Sequence, residues 1–222
     1  EIGVRLVGSE MCIRDRWNPL SEDPRKRITI RKNAGGNQAM VNIAVLGYGT
    51  VGSGVVEVIN TNHNSINKRA GAEINIKYVL DLRDFPGDPV EKVLVHDYDV
   101  IANDPEVDIV VEVMGGIEPA YTFVKRALES GKSVCTSNKA LVAKHGPELM
   151  EIAREKNINF LFEASCGGGI PIIRALNSSL TADEIDEITG ILNGTTNYMM
   201  YKMSTEGCEF DTCLLYTSDA AD

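Results

Sequence analysis

Residues 40–52 read MVNIAVLGYGTVG, and this stretch decides the fold. Met40 to Leu46 is a short apolar run stopped by Gly47, the pattern of a strand buried in a parallel sheet. Gly47-Tyr48-Gly49-Thr50-Val51-Gly52 then spells GxGxxG. The pattern predicts a helix from Thr50 to Ala70, with Val51, Val55, Val58 and Ile59 on one face. Between a strand and a helix each glycine has its own task. The first permits a tight turn, the second lets the backbone approach a pyrophosphate, and the third lets helix and strand pack closely. The helix start adds free N–H groups and partial positive charge for an anion.

Outward from this loop, apolar runs alternate with helical patterns. Strands are expected at 73–80 (EINIKYVL), 108–113 (DIVVEV), Ser133 to Thr136 and 159–163 (NFLFE), with a loop at 84–88 (DFPGD). Helices are expected over Glu118 to Ser130 and Lys139 to Lys156, the second irregular at Gly146-Pro147. Strand–helix alternation implies crossover units and a doubly wound parallel sheet, an α/β fold of Rossmann type. The texture changes at Gly167-Gly168-Gly169. A helix (Pro171 to Leu180), a strand (184–192, EIDEITGIL) and a helix from Thr195 to Met203 then open a second, incomplete α+β domain. The expected domains are 40–169 for the dinucleotide and 170–212 for the start of a substrate domain.

The second strand ends at Asp81-Leu82-Arg83. An acid there accepts ribose hydroxyls, whereas an arginine pairs with a 2′-phosphate, so both NAD and NADP stay open. Asp81 lies 29 residues past Gly52, farther than the usual spacing of about 20, and the extra residues fall around Asn60 to Gly71.

A net charge of −10 argues against nucleic acid, since phosphate binding needs clustered Lys and Arg. No apolar run approaches the ~20 residues of a membrane span, so no membrane partner is expected. Cys12, Cys135, Cys166, Cys208 and Cys213 contain no CxxC pair, and His63, His96 and His145 add no metal-ligand spacing. Reduced thiols in a cytoplasmic protein are expected.

The two ends read differently. Residues 7–16 (VGSEMCIRDR) and 213–222 (CLLYTSDAAD) resemble translated sequencing adapters, and neither carries a usable period. Residues 1–39 are expected to be a non-native or disordered leader, with Met40 the natural start, and 213–222 an adapter-like tail.

Four more segments carry a family resemblance: Glu112-Val113-Met114-Gly115-Gly116 with Pro119, Thr136 to Leu141 (TSNKAL), Phe162 to Ile172 (FEASCGGGIPI), and Gly190 to Tyr198 (GILNGTTNY). With the glycine loop, in this order, they resemble homoserine dehydrogenase across 40–212. Cys166 stands where many members would carry Val. The resemblance implies an oxidoreductase of threonine and methionine biosynthesis that interconverts L-homoserine and L-aspartate 4-semialdehyde with NAD or NADP, usually as a homodimer. It implies that Met114, Gly115 and Gly116 lie at the nicotinamide end and that Lys139 is the catalytic lysine, beside cofactor and substrate. A lysine at a strand's C-terminal end faces the ligand crevice of such sheets and can polarise a substrate oxygen or move a proton. Glu163 with the carbonyls of Cys166, Gly168 and Ile170 resembles the family's monovalent-cation site, for sodium or potassium, built from the oxygen donors a hard cation takes. Asn193, Gly194, Thr195 and Thr196 either hold the polar end of the amino-acid substrate or form an ordinary helix cap.

The family's downstream acidic cluster and second lysine are not expected before Thr212, so this polypeptide is expected to bind cofactor weakly and turn over little. Two readings compete: another Rossmann amino-acid or sugar dehydrogenase, and a non-catalytic nucleotide-sensing module. The 136–141 and 162–172 segments disfavour the first, and Lys139 disfavours the second.

Overall fold

A computed structural model describes residues 31–32, 39–180, 182–190 and 194–218 of the chain. Its centre is β2 (Ala39–Leu46), whose residues alternate between two apolar layers. Val41, Ile43 and Val45 pack on one side, Ala44 and Leu46 on the other. Burial on both faces is why the run reads as continuously apolar.

Around β2 the sheet is parallel, in the order β4–β3–β2–β5–β6–β7. The strands are β3 (Glu73–Leu80), β4 (Leu94–Val95), β5 (Val107–Glu112), β6 (Ser133–Thr136) and β7 (Phe160–Leu161). The chain winds one way from β2 through β3 to β4 and the other way from β5 to β7. The switch between β2 and β5 is where such sheets open a ligand crevice. A two-residue β1 (Arg31–Lys32) pairs antiparallel with the start of β2.

Helices α1 (Thr50–Thr61) and α2 (His63–Ala70) follow β2. The expected single helix is broken at Asn62, whose ψ of 17° departs from the helical value. Asn67 of α2 instead accepts the Ile74 N–H at 2.9 Å, tying the polar second piece to β3. The face that carries Val51, Val55, Val58 and Ile59 is only partly turned to the sheet. Gly52 and Val56 are buried, with Val55 and Ile59 packed beside them, whereas Val51 and Val58 are each 52% exposed. Gly52 causes this. It must face the sheet, and the helical period then turns Val51 and Val58 outward.

On the opposite face lie α3 (Tyr98–Ala102), α4 (Ala120–Glu129) and α5 (Lys139–Glu155). Tyr98, Ile101, Val124, Leu128, Leu141 and Leu149 form the larger core there with Val110 and Val134 of the sheet. Helix α5 is continuous. Pro147 lacks an N–H, so the expected irregularity is one missing backbone bond. Strand β4 and helix α3 are too short to show a period in the sequence. Strand β5 begins and ends one residue earlier than the expected 108–113, and β7 keeps two of the five residues expected.

Past the glycine run come α6 (Ile173–Ser179), α7 (Gly194–Glu206) and α8 (Phe210–Ser218). The strand expected over 184–192 is not formed at 184–190, and 191–192 lie outside the described residues. Residues 184–190 are exposed throughout. A single strand with nothing beside it has neither ladder nor buried face to hold it. Helix α8 runs from Glu209's neighbour into the tail where no period had been read, and Cys213 is buried there. Among the described residues no helix is long and apolar enough to cross a membrane.

Candidate functional site

The glycine loop divides its labour as its spacing suggests. Gly47 has φ +98°, a left-handed conformation open to glycine, and its N–H donates to Leu80 O at 2.8 Å. A Cβ on Gly52 would lie 1.9 Å from Gly47 O, so the third glycine is a packing requirement. A Cβ on Gly49 would meet nothing within 4 Å. Open space above the second glycine is what close approach of a diphosphate needs. Thr50 and Val51 begin α1, whose first turn holds no acidic side chain to repel an anion.

Asp81 closes the loop from the side. Its Oδ2 accepts the Tyr48 N–H at 2.8 Å, and its Oδ1 accepts the Arg83 N–H and Nε–H, both at 3.0 Å. The Arg83 guanidinium, with these backbone donors, holds the Asp81 carboxyl well below the usual carboxylate range, against the opposing effect of partial burial. Arg83 also donates to Tyr48 O at 3.2 Å and lies over the Phe85 ring. The Tyr48 ring meets Phe85 edge-on at 4.8 Å. His96 contacts the Asp81 carbonyl at 2.7 Å.

Beyond the ends of β2, β5 and β6 lies a crevice of about 1010 Å³. Val51, Met114, Gly115, Gly116 and Lys139 line one part of it, and Cys166, Gly168, Ile170, Gly194 and Thr195 another. Most residues expected for the nicotinamide and substrate ends are thus brought together. Gly47, Tyr48, Gly49, Thr50, Gly52, Asp81 and Arg83 are not among the lining residues. Thr196 is not among the lining residues, and Asn193 lies outside the described residues. Lys139 starts α5, exposed on the crevice wall. Asn138 caps that helix, its Oδ1 accepting the Leu141 N–H at 3.1 Å.

Glu163 does not stand free in the crevice. Its two oxygens accept the N–H groups of Ile173 and Arg174, at 2.9 and 2.8 Å, and so cap α6 across the glycine run. Gly167 and Gly168 make the turn with φ of +75° and +60°. No backbone N–H among the described residues donates to the carbonyls of Cys166, Gly168 or Ile170. Carbonyl and carboxylate oxygens are the donor type a hard monovalent cation takes. Among the described residues no three His, Cys, Asp or Glu side chains gather as a metal cluster.

The buried Glu112, in the segment 112–116, makes contacts that the sequence does not announce. Glu112 is fully buried at the end of β5, with Thr136 and Asn138 beside it. The available signal was a carboxylate inside an apolar run, an arrangement that costs free energy unless the group is hydrogen-bonded.

A doubly wound sheet, a glycine loop at its switch point and a crevice beyond define a Rossmann-type dinucleotide-binding domain, followed in the chain by a glycine turn and the helices α6 to α8. A family model described as "Homoserine dehydrogenase, NAD binding domain" matches residues 47–163, and one described as "Homoserine dehydrogenase" matches 171–220. The chain is 42% identical to the homoserine dehydrogenase of Lactococcus lactis subsp. lactis over 180 residues, which is 78% of this chain and 42% of that protein. The crystal structure of a homoserine dehydrogenase from Thiobacillus denitrificans superposes with a TM-score of 0.73 at 39% identity, covering 82% of this chain and 43% of that one. A hyperthermophilic archaeal homoserine dehydrogenase mutant in complex with NADPH gives 0.69 at 28% identity, over 82% and 61%. The chain belongs to the homoserine dehydrogenase family. It spans about two fifths of the length of the curated relatives it matches.

Proposed function

We propose that this chain is the nicotinamide-cofactor part, with the opening of the substrate part, of an enzyme that interconverts L-homoserine and L-aspartate 4-semialdehyde. The observation that carries this reading is the crevice itself, where Met114 to Gly116, Lys139 and Gly194 to Thr195 face one space beyond the glycine loop. The cofactor, NAD or NADP, supplies a hydride acceptor at its nicotinamide ring. The amides of Gly47 to Gly52 and the start of α1 cradle the diphosphate. Asp81 accepts ribose hydroxyls, and Arg83, once turned from Asp81, meets a 2′-phosphate. Met114, Gly115 and Gly116 seat the nicotinamide.

Lys139 is the group that addresses the reacting oxygen. Oxidising a primary alcohol removes a hydride from carbon and a proton from oxygen, and an ammonium beside that oxygen steadies the charge that develops. Gly194, Thr195, Thr196 and Asn193 hold the amino-acid end of the substrate. Glu163 and the carbonyls of Cys166, Gly168 and Ile170 hold a sodium or potassium ion that braces the turn between the domains and takes no part in the chemistry.

The protein is cytoplasmic, consistent with the unpaired Cys135, Cys166, Cys208 and Cys213. Burial pushes the Cys135 thiol up, which keeps it an unreactive core group. The whole enzyme is a homodimer. Ile185, Ile188, Tyr201 and Phe210, each 47–59% exposed here, are apolar surface that an assembly would cover.

The test suited to this chain is binding. Calorimetric titration with NADH and NADPH should show one saturable site for at least one of them, weakened in Gly49→Val. A chain that binds neither would remove the basis of the reading.

A further inference from the structure

Two loops meet in the crevice without strand pairing to hold them together. Met114 to Gly116 turns through φ of +86° at Gly115 and +72° at Gly116. Thr136 to Asn138 leaves β6 and launches α5, with Lys139 at its first position. Between them, fully buried, lies the side chain of Glu112.

Its contacts run to both loops. Oε1 accepts the Met114 N–H at 2.8 Å and the Asn138 side-chain amide at 3.4 Å, and Oε2 accepts the Thr136 hydroxyl. The Thr136 oxygen itself accepts the Asn138 N–H at 2.9 Å, which directs its proton towards Glu112. Asn138 cannot turn its amide the other way, because its Oδ1 caps α5 through Leu141 N–H. Its NH2 therefore reaches both Glu112 and the Gly116 carbonyl. Glu112 acts only as an acceptor, towards three donors.

Strand cohesion does not need this carboxylate. Val111 and Glu112 already pair through the backbone with Cys135 and Thr136, and Ser137 N–H donates to the Glu112 carbonyl at 3.2 Å. What the side chain adds is confined to the loops that line the crevice.

We propose that Glu112 is a positioning residue. Its carboxylate brackets the Met114–Gly116 turn to the start of α5 and so sets where a nicotinamide ring lies relative to Lys139. The inference rests on the cofactor reading above, and it predicts a defect at the nicotinamide end of the ligand alone.

Substitution by Gln keeps the shape but brings an NH2 group among donors, so at least one contact becomes donor against donor. The comparison is made on the 222-residue chain in the wild type, Glu112→Gln, Thr136→Val and Thr136→Ser. Each is titrated calorimetrically with ADP-ribose, which carries the diphosphate and no nicotinamide, and with NADH, whose ring fluorescence is followed as well. ADP-ribose affinity should stay within roughly twofold in every variant. NADH affinity should fall roughly fivefold or more in Glu112→Gln and Thr136→Val, the loss expected for one hydrogen bond, with loss of the fluorescence change. Thr136→Ser, which keeps the hydroxyl, should match the wild type.

Unchanged NADH binding in Glu112→Gln overturns the proposal, as does a parallel fall for both ligands, which signals general damage. If Glu112→Gln shows no cooperative melt, Thr136→Val decides by the same criteria. A wild type that binds neither ligand overturns the cofactor reading and this inference with it, an outcome distinct from any difference among variants.

Discussion

The Tyr48 N–H donates to Asp81 Oδ2 at 2.8 Å, so the residue after the first glycine of the loop is fastened to the end of β3. Arg83 completes the fastening, because its guanidinium reaches the Asp81 carboxylate and the Tyr48 carbonyl together. The acid read from the sequence as a ribose acceptor therefore shapes the loop before any ligand arrives. A ribose bound as proposed would have to share the carboxylate with Arg83 or displace it.

That fastening makes stability depend on acid in a defined window. The Asp81 carboxyl is held well below its ordinary value by Arg83 and by the Tyr48 and Arg83 backbone N–H groups. A carboxyl lowered by folding contributes stability fully above its unfolded value, about 3.9, and loses it as the pH falls towards the depressed folded value. Urea midpoints measured from pH 6 down to pH 2 should fall below about pH 4 in the wild type. Asp81→Asn should start lower at pH 6 and fall less steeply. Equal slopes in the two proteins would show that Asp81 does not carry the effect.

The second and third glycines should separate stability from binding. Gly52→Ala places a methyl 1.9 Å from Gly47 O, where backbone must move. Overpacking of this kind costs typically 1–3 kcal/mol, and both the thermal midpoint and dinucleotide affinity should drop. Gly49→Ala meets nothing within 4 Å, so it should melt like the wild type. Its methyl still occupies the space a diphosphate would approach, so NADPH affinity should fall. Equal melting temperatures for Gly52→Ala and the wild type would contradict the geometry.

The sheet and its loop were readable because their determinants are local. Eight residues of β3 can be read from EINIKYVL, since alternation and a following turn signal are contained in the run itself. The inner face of α1 was not readable from periodicity. Val51 and Val58 are apolar at helical spacing, but the orientation is imposed by a contact between Gly52 and Gly47 that a hydrophobic pattern does not contain. Glu163 shows the same limit at the site. The resemblance implies an ion ligand there, and the two amide partners of its carboxylate, ten and eleven residues away across a glycine turn, are contacts that no local pattern carries. The strand expected at 184–192 failed for the converse reason. EIDEI alternates poorly, with Ile185 and Ile188 three residues apart and so on opposite faces of any strand, and no strand among the described residues pairs with it.

Leu128 tests the core that supports the crevice. It is fully buried on α4, in the layer shared with α3 and α5, away from any proposed ligand. Leu128→Ala should cost about 2–5 kcal/mol in denaturant unfolding, through lost burial and the cavity left behind. That is a large part of an ordinary domain's 5–15 kcal/mol, so the variant should be well below the wild type in urea midpoint. A shift under about 1 kcal/mol would mean the α4 layer is looser than its burial indicates.

Glu163 should matter more to one helix than to the whole protein. Its carboxylate satisfies the Ile173 and Arg174 N–H groups at the start of α6 and places negative charge where the helix dipole favours it. Removing a side-chain cap costs about 0.5–2 kcal/mol. The loss falls on a seven-residue helix beyond the main core, so fraying of α6 should absorb it. Glu163→Ala should therefore speed amide exchange at Ile173 and Arg174, with little change at Val110 or Val134 in the sheet. Glu163→Gln retains one acceptor oxygen and should fall between. Added sodium or potassium offers a separate reading of the same residue. If the ion is held by Glu163 with the carbonyls of Cys166, Gly168 and Ile170, it should slow exchange at Ile173 in the wild type and have no such effect in Glu163→Ala. Exchange that is indifferent to the ion in both proteins would leave Glu163 as a helix cap and remove the cation from the site.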